Sequence, residues 1–506
     1  MILLDSRVTN YHFRHSLKVF CPSHPEVKFV LPKFSFSDLA VYIFTIAIFP
    51  IALVLSILEV TRTRSKFLSS ISMHIPVFIT KKIFSEKSWW ETNFIIQSLV
   101  KYRGSRLRDT NRALSNFSPQ SKLGVRLSSP LLPFNSLYPK SKEDKYISVI
   151  KFVVDDIQLP SITKLAKLPF LPSVADTYEN SLCHYFDLIK ETIHSPISES
   201  RFVINCGNKF SNPLDLISQF VRRISTDISK ILRSVLLKKK YTWYVRVQAR
   251  NTTSNQKFYD LENPGNGYYA DPFLFEYQDE VFLFVEEYSF STLKGVVSVF
   301  KFEDGDFKRL GVCLEELFHI SFPNIFVDGE DIYMIPETSA NRDVRLYCAV
   351  EFPMKWELST QLLKDISAVD STIYRNNDYY YLLTTVDTNE LGDHSTNLNM
   401  YKSSQLNGHI WLESDKNPVI RDAEKGRNAG RYHESLNERI RIAQASEFGT
   451  YGKKISVHSV EAMSLEEYAE LEIELPKLEV PIDSQGHHHL SLSRDFMAFD
   501  FSRFVK

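Results

Sequence analysis

Charged side chains recur along the second half of the sequence, each at the head of an apolar segment and roughly fifty to sixty residues after the previous one. The series consists of Asp271, His319, Asp370, Arg427 and His488. Three glutamates, Glu286, Glu287 and Glu337, end neighbouring apolar segments. We predict Glu287 and Glu337 as site residues. Carboxylates around one cleft are what chemistry at a glycosidic bond requires, because one activates the attacking oxygen or attacks the anomeric carbon and another protonates the leaving oxygen. Whether these side chains meet depends on the elements that carry them.

A sequence pattern typical of a β-hairpin occurs three times in this part of the chain. The segments read "YYADPFLFEYQDEVFLFVEE", "ISFPNIFVDGEDIYMIPETS" and "AVDSTIYRNNDYYYLLTTVD". Each has an apolar run, a polar turn and an alternating aromatic run, which is the pattern of a β-hairpin. A second pair of strand candidates follows each copy. Four short strands in about fifty residues indicate one blade of a β-propeller.

Two weaker copies near 428–444 and 487–501 bring the count to five blades, with six as the alternative. The strand candidate "YTWYVRVQAR" precedes the first blade and could complete the last one, which would close the ring and remove its exposed edges. The innermost strands of a propeller converge on its axis, so the residues at their starts meet in one funnel. We therefore expect a mostly β protein whose residues 241–506 form a five-bladed β-propeller with a central site.

The composition bounds the class of protein. The chain has 506 residues, which predicts two or three domains. The chain has 60 Lys and Arg residues and 61 Asp and Glu residues, so its net charge is close to zero. Such a chain has no overall positive potential that would attract nucleic acid, and we expect no nucleic-acid partner. The five cysteines are odd in number and widely spaced, which indicates buried thiols, with a Cys313–Cys348 bridge as the alternative in a lumenal setting.

The run His487-His488-His489 raises the question of a metal ion. Alternate residues of a strand face opposite sides, so only His487 and His489 could share one ion. Lining of the funnel is the competing interpretation. We predict no metal ion and no cofactor.

Residues 39–58, "LAVYIFTIAIFPIALVLSIL", contain no charge and are long enough as a helix to cross a bilayer. This run is too long and too far from the N-terminus for an ordinary cleaved signal peptide, so we predict a single-pass transmembrane helix after an N-terminal tail, residues 1–38. A buried core helix is the alternative. Basic residues flank the span on both sides, so its orientation stays undecided.

For residues 59–240 the sequence predicts a mixed α/β or largely helical region with linkers. The segment "SLCHYFDLIKETI" and the segment beginning at Asn212-Pro213 have amphipathic helical spacing. Between them "RFVINCGNK" predicts a short strand. The stretch "NRALSNFSPQSKLGVRLSSPLLPFNSLYPKSKED" has the composition of a loop.

The motifs "ADPFLFE", "FHISFPNIF", "YMIPETS", "VDSTIYR" and "RIAQASEFGTYGKKI" resemble the N-terminal domain of plant glucosamine inositolphosphorylceramide transferases and their bacterial relatives. That domain is similar in turn to the five-bladed propellers of family 43 and family 32 glycoside hydrolases. The resemblance covers residues 241–500 and implies glycosyl transfer onto a glycolipid or surface polysaccharide. Plant members carry a separate transferase domain after this one, whereas this sequence ends at Lys506, so a partner transferase is also an expectation.

The hydrolase resemblance implies roles for individual residues. It makes Asp271 the base or nucleophile, Asp370 its counterpart in a later blade and Glu337 the proton donor. It also implies a substrate-binding set, which we predict as His319, Glu287, Arg427, Gln444 and His488. Two positions depart from the pattern: Ser371 stands where relatives have Pro, and Ala445 where an Asp is expected.

Three functions remain open at this point. A glycosyltransferase would use Asp271 on an acceptor hydroxyl, and Arg427 with a histidine on the leaving group of a sugar donor such as a nucleotide sugar. A glycoside hydrolase would pair Asp271 with Glu337. A non-catalytic glycan-binding scaffold is the third, because the aspartates can also order turns and Glu337 can also form an ion pair.

Overall fold

The computed structural model describes residues 240–505 apart from 251–256, 377, 435–438 and 448–449, together with short stretches before residue 240: 2–4, 29–30, 125–127, 147–149, 166–169, 171, 180, 184 and 202–204. The chain divides into two compact units, residues 1–230 and 231–506. The predicted span 39–58 and the predicted helix from Asn212 lie outside the described residues, whereas His184 of the other predicted helix is helical. Among the described residues, no helix has both the length and the apolar character needed to cross a bilayer.

The first unit contains a parallel sheet of four short strands. They are β1 (Ile2–Leu4), β2 (Phe29–Val30), β3 (Val125–Leu127) and β6 (Phe202–Ile204), in the order β2-β1-β3-β6. Strands β4 (Ile147–Val149) and β5 (Ala166–Leu168) form a separate antiparallel pair. Strand β6 confirms the strand predicted in "RFVINCGNK". Strand β3 lies in the stretch predicted as a loop, since its pairing with β1 and β6 is non-local and leaves no signal in local composition.

The second unit is a five-bladed β-propeller, as predicted. It opens with β7 (Lys240–Ala249) and β8 (Phe258–Asp260), which belong to the fifth blade. Blade 1 contains β9 (Gly267–Tyr277), β10 (Glu280–Ser289), β11 (Lys294–Glu303) and β12 (Asp306–Leu314). Blade 2 contains β13 (Ser321–Asp328), β14 (Asp331–Glu337), β15 (Asp343–Glu351) and β16 (Lys355–Lys364), with a 3₁₀ turn at Ser339–Asn341.

The later blades are less regular, which is why their copies of the pattern are weaker. Blade 3 contains β17 (Ala368–Asn376), β18 (Tyr379–Val386), β19 (Asn397–Ser403), β20 (Leu412–Glu413) and β21 (Ile420–Arg421). Blade 4 contains β22 (Arg427–Asn428), β23 (His433–Glu434), β24 (Arg439–Glu447), β25 (Thr450–Met463) and β26 (Tyr468–Ile473). Blade 5 adds β27 (Leu490–Leu492) and β28 (Phe496–Val505).

The ring closes through strands from its two ends. Strand β28 pairs antiparallel with β7 over ten residues, from Phe496 opposite Ala249 to Val505 opposite Lys240. The predicted closure by "YTWYVRVQAR" is therefore confirmed. It gives the last blade its third and fourth strands, so the side of β28 that faces away from β27 is paired.

Apolar side chains of neighbouring blades form the core. Phe273 and Phe284 of blade 1 pack in one cluster with Phe322 and Met334 of blade 2. Similar clusters link the other neighbouring blades. Most of the aromatic runs of the three hairpins are buried in this way. Cys313 on β12 and Cys348 on β15 are both free thiols, so the structure does not contain the alternative bridge.

An irregularity recurs where the inner strands of blades 1 to 3 begin. The backbone φ angles of Asp271, Phe322 and Asp370 are 47°, 47° and 50°. Residues other than glycine seldom adopt this left-handed region. The pairing register of each strand shifts there, as in a β-bulge. A bulge re-aims the side chain it carries, and strain of this kind is concentrated at functional sites. These bulges therefore position the two aspartates of the predicted site.

Candidate functional site

Polar side chains from all five blades gather where the inner strands begin. Arg427 of blade 4 lies 2.6 Å from Asp370 of blade 3 and 3.6 Å from Glu337 of blade 2. His488 of blade 5 lies 3.2 Å from Asp271 of blade 1. The structure thus brings together residues that are far apart in the sequence, and we call this group the funnel cluster. Its members are Asp271, Glu286, Glu337, Asp370, Arg427, Gln444, His488 and Asp500.

Asp271 is held by groups of two neighbouring blades. Its Oδ2 accepts the backbone N–H of Phe322 at 3.2 Å, and its Oδ1 faces Nε2 of His488. Its own N–H donates to Asp500 at 3.1 Å. Burial acts to raise the pKa of Asp271, but the hydrogen bond and positive charge of His488 outweigh it and lower the pKa to about 2. Asp271 is therefore an oriented carboxylate that is ionised at neutral pH.

The Asp370 carboxylate accepts hydrogen bonds from two side chains of blade 4. Arg427 donates from Nε at 2.6 Å and Gln444 donates from its amide at 3.0 Å, both to Oδ2. Asn428 donates to the Asp370 carbonyl at 2.7 Å. Burial raises the pKa of Asp370 to about 7 even though Arg427 acts to lower it. Gln444 therefore lies in the cluster as predicted, with its amide on a carboxylate.

Glu337 lies at the edge of the same group. Its Oε1 accepts the hydroxyl of Ser339 at 2.6 Å, and its other oxygen faces Arg427. Arg427 also donates weakly to the His394 carbonyl at 3.4 Å. The Arg427 guanidinium thus bridges carboxylates of two blades. A guanidinium also forms charge-assisted hydrogen bonds to anionic groups of substrates such as phosphates.

Glu286 is a second buried acid of blade 1. Burial and the nearby Asp271 carboxylate raise the pKa of Glu286 well above its usual range, which favours the protonated form of this side chain. Its Oε1 lies 3.8 Å from Nε2 of His319. Nδ1 of that histidine accepts the N–H of Gly295 at 2.8 Å, so its proton is on Nε2. Burial lowers the pKa of His319, which leaves the ring neutral and able to donate.

Tyr451 provides an aromatic surface at the mouth of the cluster. Its ring centroid lies 4.7 Å from the Arg427 guanidinium and 4.9 Å from the His488 ring. The residue is 39% exposed, so part of the ring is open to solvent. Aromatic rings beside polar groups are a common feature of binding sites for amphipathic ligands such as sugars.

Glu287 is not brought into the cluster. Its carboxylate accepts from Ser298 at 2.6 Å and from Arg309 at 2.8 Å, both on outer strands of blade 1. Neighbouring residues of a strand face opposite sides, so when Glu286 faces the funnel Glu287 cannot. Identifying from sequence which glutamate faces the cluster would have required the register of β10 against β9.

Asp500 of the funnel cluster and the neighbouring Tyr451 carried no usable signal in the sequence pattern. Asp500 lies late in β28, outside every motif, and was not predicted. Tyr451 lies within the quoted motif "RIAQASEFGTYGKKI" but reads there as an ordinary hairpin residue. Only the three-dimensional pairing of blade 5 with blade 1, and of β25 with β24, reveals their place.

A metal ion would find three ligand atoms close together in Asp271, His488 and Asp500, all within 4.8 Å of one another. Both ring nitrogens of His488 face carboxylate oxygens, at 3.2 Å and 2.9 Å. A ring protonated at both nitrogens has no lone pair to offer an ion. The donor set therefore fits an ion-paired triad better than a metal site. His489 packs between Phe273 and Phe322, so it does not join His487 around an ion.

The sequence comparisons agree with the resemblance stated above. Residues 247–491 match the family model described as glucosamine inositolphosphorylceramide transferase 1, N-terminal. Among curated proteins, the chain is 32% identical over 216 residues to glucosamine inositolphosphorylceramide transferase 1 of Oryza sativa subsp. japonica, and 35% identical over 215 residues to the protein of that name from Arabidopsis thaliana. Each match covers 42% of this chain and 28% of the relative, so the chain spans under a third of their length.

Solved structures similar to the chain include a family-43 glycoside hydrolase and an α-L-arabinanase. A thermostable family-43 glycoside hydrolase matches with 11% identity and a TM-score of 0.34, covering 47% of this chain and 87% of the hydrolase. The α-L-arabinanase of Cellvibrio cellulosa, complexed with arabinohexaose, matches with 16% identity and a TM-score of 0.30, covering 39% and 76%. The five blades of the present chain are established by its own sheets.

Proposed function

We propose that this chain, whose residues 247–491 match the N-terminal family of glucosamine inositolphosphorylceramide transferases, is a membrane-anchored, glycan-processing glycosyltransferase that acts on a glycolipid or surface polysaccharide. The relatives are named as transferases of that lipid class, which supports a glycolipid acceptor. Residues 39–58 would provide the anchor. The funnel cluster would bind the sugar.

One observation carries the proposal: two buried acids of blade 1 lie in one funnel, and their pKa values are shifted in opposite directions. Asp271 is ionised, with its pKa lowered to about 2, whereas the pKa of Glu286 is raised well above its usual range. Two carboxyl groups whose environments separate their pKa values in this way are the signature of an acid and a base at one site.

The transfer step divides among these groups. The acceptor hydroxyl oxygen bonds to the anomeric carbon of the donor, and its proton passes to Asp271 as the new bond forms. The bond between that carbon and the leaving oxygen breaks, and the leaving oxygen keeps the electron pair. When the leaving group is an alcohol, Glu286 donates a proton to this oxygen. When the donor is a nucleotide sugar, the oxygen leaves as part of an anionic phosphate, and Arg427 stabilises that negative charge. Glu337, predicted as the donor, is the alternative acid.

Hydrolysis and non-catalytic glycan binding are the two alternative functions, and each is supported by a specific feature of the site. The same acid and base would serve a hydrolase if water replaced the acceptor. The double engagement of Asp370 by Arg427 and Gln444 favours a binding role at that position, which fits a glycan-binding scaffold working with a partner transferase. The products distinguish these cases.

The test uses the purified full-length chain with a panel of nucleotide sugars and a mixed glycolipid extract in detergent. Transfer should release the nucleotide and add the sugar to a lipid, both detected by mass spectrometry. Asp271→Asn should reduce the rate by about a hundredfold or more, since it removes a group that acts on the reacting atoms. Asp343→Asn, which changes a buried aspartate of blade 2 outside the cluster, is the matched control and should leave the rate near wild type.

Release of free sugar without a lipid product would replace transfer by hydrolysis. Glycan binding with no turnover, and no effect of Asp271→Asn, would reject both enzymes in favour of the scaffold. Glu286→Gln and Glu337→Gln, compared on donors with good and poor leaving groups, identify the acid, because only its loss is relieved by a leaving group that needs no proton.

A further inference from the structure

Asp500, on the closing strand β28, is among the most constrained side chains of the propeller. It is fully buried. Its Oδ1 accepts the backbone N–H groups of His488 and His489, both at 3.0 Å. Its Oδ2 accepts the N–H of Asp271 at 3.1 Å and lies 2.9 Å from Nδ1 of His488. One carboxylate of the last blade therefore fixes both the backbone and the side-chain partner of Asp271 in the first.

His488 transmits this contact to the Asp271 carboxylate. Its two ring nitrogens face Asp500 on one side and Asp271 on the other. The ring is buried and packs 4.1 Å, centroid to centroid, from Trp243 on strand β7. A buried imidazole between two carboxylates is most stable as the doubly protonated cation, because each carboxylate then receives an N–H. Both ring nitrogens thus lie beside carboxylate oxygens, and the role of His488 in substrate binding stays a prediction.

We infer that Asp500 is a positioning residue: through His488 it holds the Asp271 carboxylate ionised and oriented, and so makes the reacting group of blade 1 depend on the strand that closes the ring. The contribution to the reaction rests on the proposed function, whereas the state of His488 does not. Asp500 touches no substrate in this arrangement. It acts by fixing the charge and direction of its neighbours.

The competing explanation is purely mechanical. Asp500 accepts three backbone N–H groups, which by itself would order the start of β27 and the bulge at Asp271. An asparagine keeps the size of the side chain and one acceptor oxygen but removes the charge. A mechanical role would change stability and leave the protonation of His488 alone, whereas a positioning role changes that protonation.

The charged and titratable groups around His488 define what can titrate with it. They come from four blades, and the rest of its own segment contributes two histidines. Burial acts to lower the pKa of His488, but the Asp500 charge and both carboxylate contacts raise it to about 10. The groups are Asp271 on β9, Glu286 on β10, Glu337 on β14, Arg427 on β22, Tyr451 on β25, Asp500 on β28, His487 and His489.

The test follows the His488 ring by nitrogen NMR in the full-length chain labelled at histidine, with the signal assigned by its loss in His488→Gln. In wild type the ring should stay doubly protonated up to at least pH 8. In Asp500→Asn it should lose a proton at a pH at least about one unit lower, because one of two carboxylates is gone. Asp343→Asn, the buried control of blade 2, should leave the titration unchanged.

A neutral His488 ring at pH 7 in wild type, or equal titrations in wild type and Asp500→Asn, would overturn the inference. If Asp500→Asn does not fold, the wild-type titration and that of Asp500→Glu, which keeps the charge, decide the matter. These readouts need no turnover, so they stand even where the proposed function fails.

Turnover adds a second readout where it is found. The kcat should fall in Asp500→Asn with little change in KM, because the Asp271 carboxylate loses the support that orients it, and Asp500→Glu should restore part of the loss. An unchanged kcat in a folded Asp500→Asn would contradict the positioning role.

Discussion

Two neighbouring acids of the funnel, Glu286 and Asp271, have pKa values shifted in opposite directions, and this has a consequence for stability. Burial and Asp271 raise the pKa of Glu286 above its usual value of 4.5, so the folded state binds a proton that the unfolded state releases above that pH. A group with a raised pKa contributes stability that is present below its unfolded pKa and lost as pH rises towards the folded value. Asp271 behaves in the opposite sense, with stability lost as pH falls below about 4 towards 2.

Glu286→Gln isolates this effect, because glutamine has the shape of the neutral acid and does not titrate. The free energy of unfolding of wild type should fall relative to the variant by up to about 1.4 kcal/mol per pH unit above pH 4.5, until the folded pKa is reached. Urea unfolding from pH 5 to pH 8 measures this difference. Glu287→Gln, at the neighbouring position facing Arg309, is the control. A difference between wild type and Glu286→Gln that does not change with pH would mean that Glu286 is ionised.

At the residue scale, the sequence predicts the kinds of group and most of the positions. Asp271, Asp370 and Arg427 are identified by their repeated place at strand starts, and the structure brings them together. The choice between Glu286 and Glu287 depends on a register shift in blade 1, where the pairing jumps between Phe284 and Glu286. No local pattern encodes that shift, because each glutamate follows the same aromatic strand.

At the element scale, the hairpin between β24 and β25 places Tyr451 and depends on a close approach of Gly452. A Cβ at Gly452 would lie 2.8 Å from the Cβ of His488 and 2.8 Å from Cη2 of Trp243. The φ of Gly452 is +63°, so a side chain there would also strain the backbone. Strand β25 can therefore pack against blade 5 only because this residue has no side chain.

Gly452→Ala should lower the free energy of unfolding by roughly 2 to 4 kcal/mol, the sum of backbone strain and overpacking. The matched control is Gly329→Ala, since Gly329 has a φ of +64° and a Cβ added there would meet nothing within 4 Å. That variant should lose only the backbone part, about 1 kcal/mol. Chemical unfolding of both variants gives the difference, and equal losses would show that the hairpin is not packed closely on His488.

Elements were predicted best where the alternation of apolar and polar residues is regular. The three strong copies of the hairpin correspond to β9–β10, β13–β14 and β17–β18. The inner strand of blade 4 is interrupted, with β22 and β23 pairing separately with β24, and its copy of the pattern is correspondingly weak. The bulges at Asp271 and Asp370 were not predicted, because a positive φ at a non-glycine residue is imposed by contacts between blades.

At the scale of the whole molecule, closure joins the fold to the site. The strand that completes the ring, β28, carries Asp500, and its partner β7 carries Trp243, which packs on His488. The repeat in the sequence predicts the ring and its closure. It does not predict that the closing strands support the carboxylate of the first blade, since that coupling arises from contacts between residues more than two hundred positions apart.

Removal of the closing strand provides the test at this scale. A chain starting at residue 231 keeps the second compact unit with β7 and should unfold in one cooperative transition. A chain starting at residue 251 lacks β7, so the ten-residue pairing with β28 is lost and a strand edge of the last blade is exposed. This shorter chain should lose cooperative unfolding or aggregate, as calorimetry and light scattering would show. Because β28 would also lose the support that holds Asp500, any fraction that folds should bind sugar more weakly than the longer chain. Equal melting transitions for the two chains would mean that the ring does not depend on this closure, and the coupling between closure and site would then fail with it.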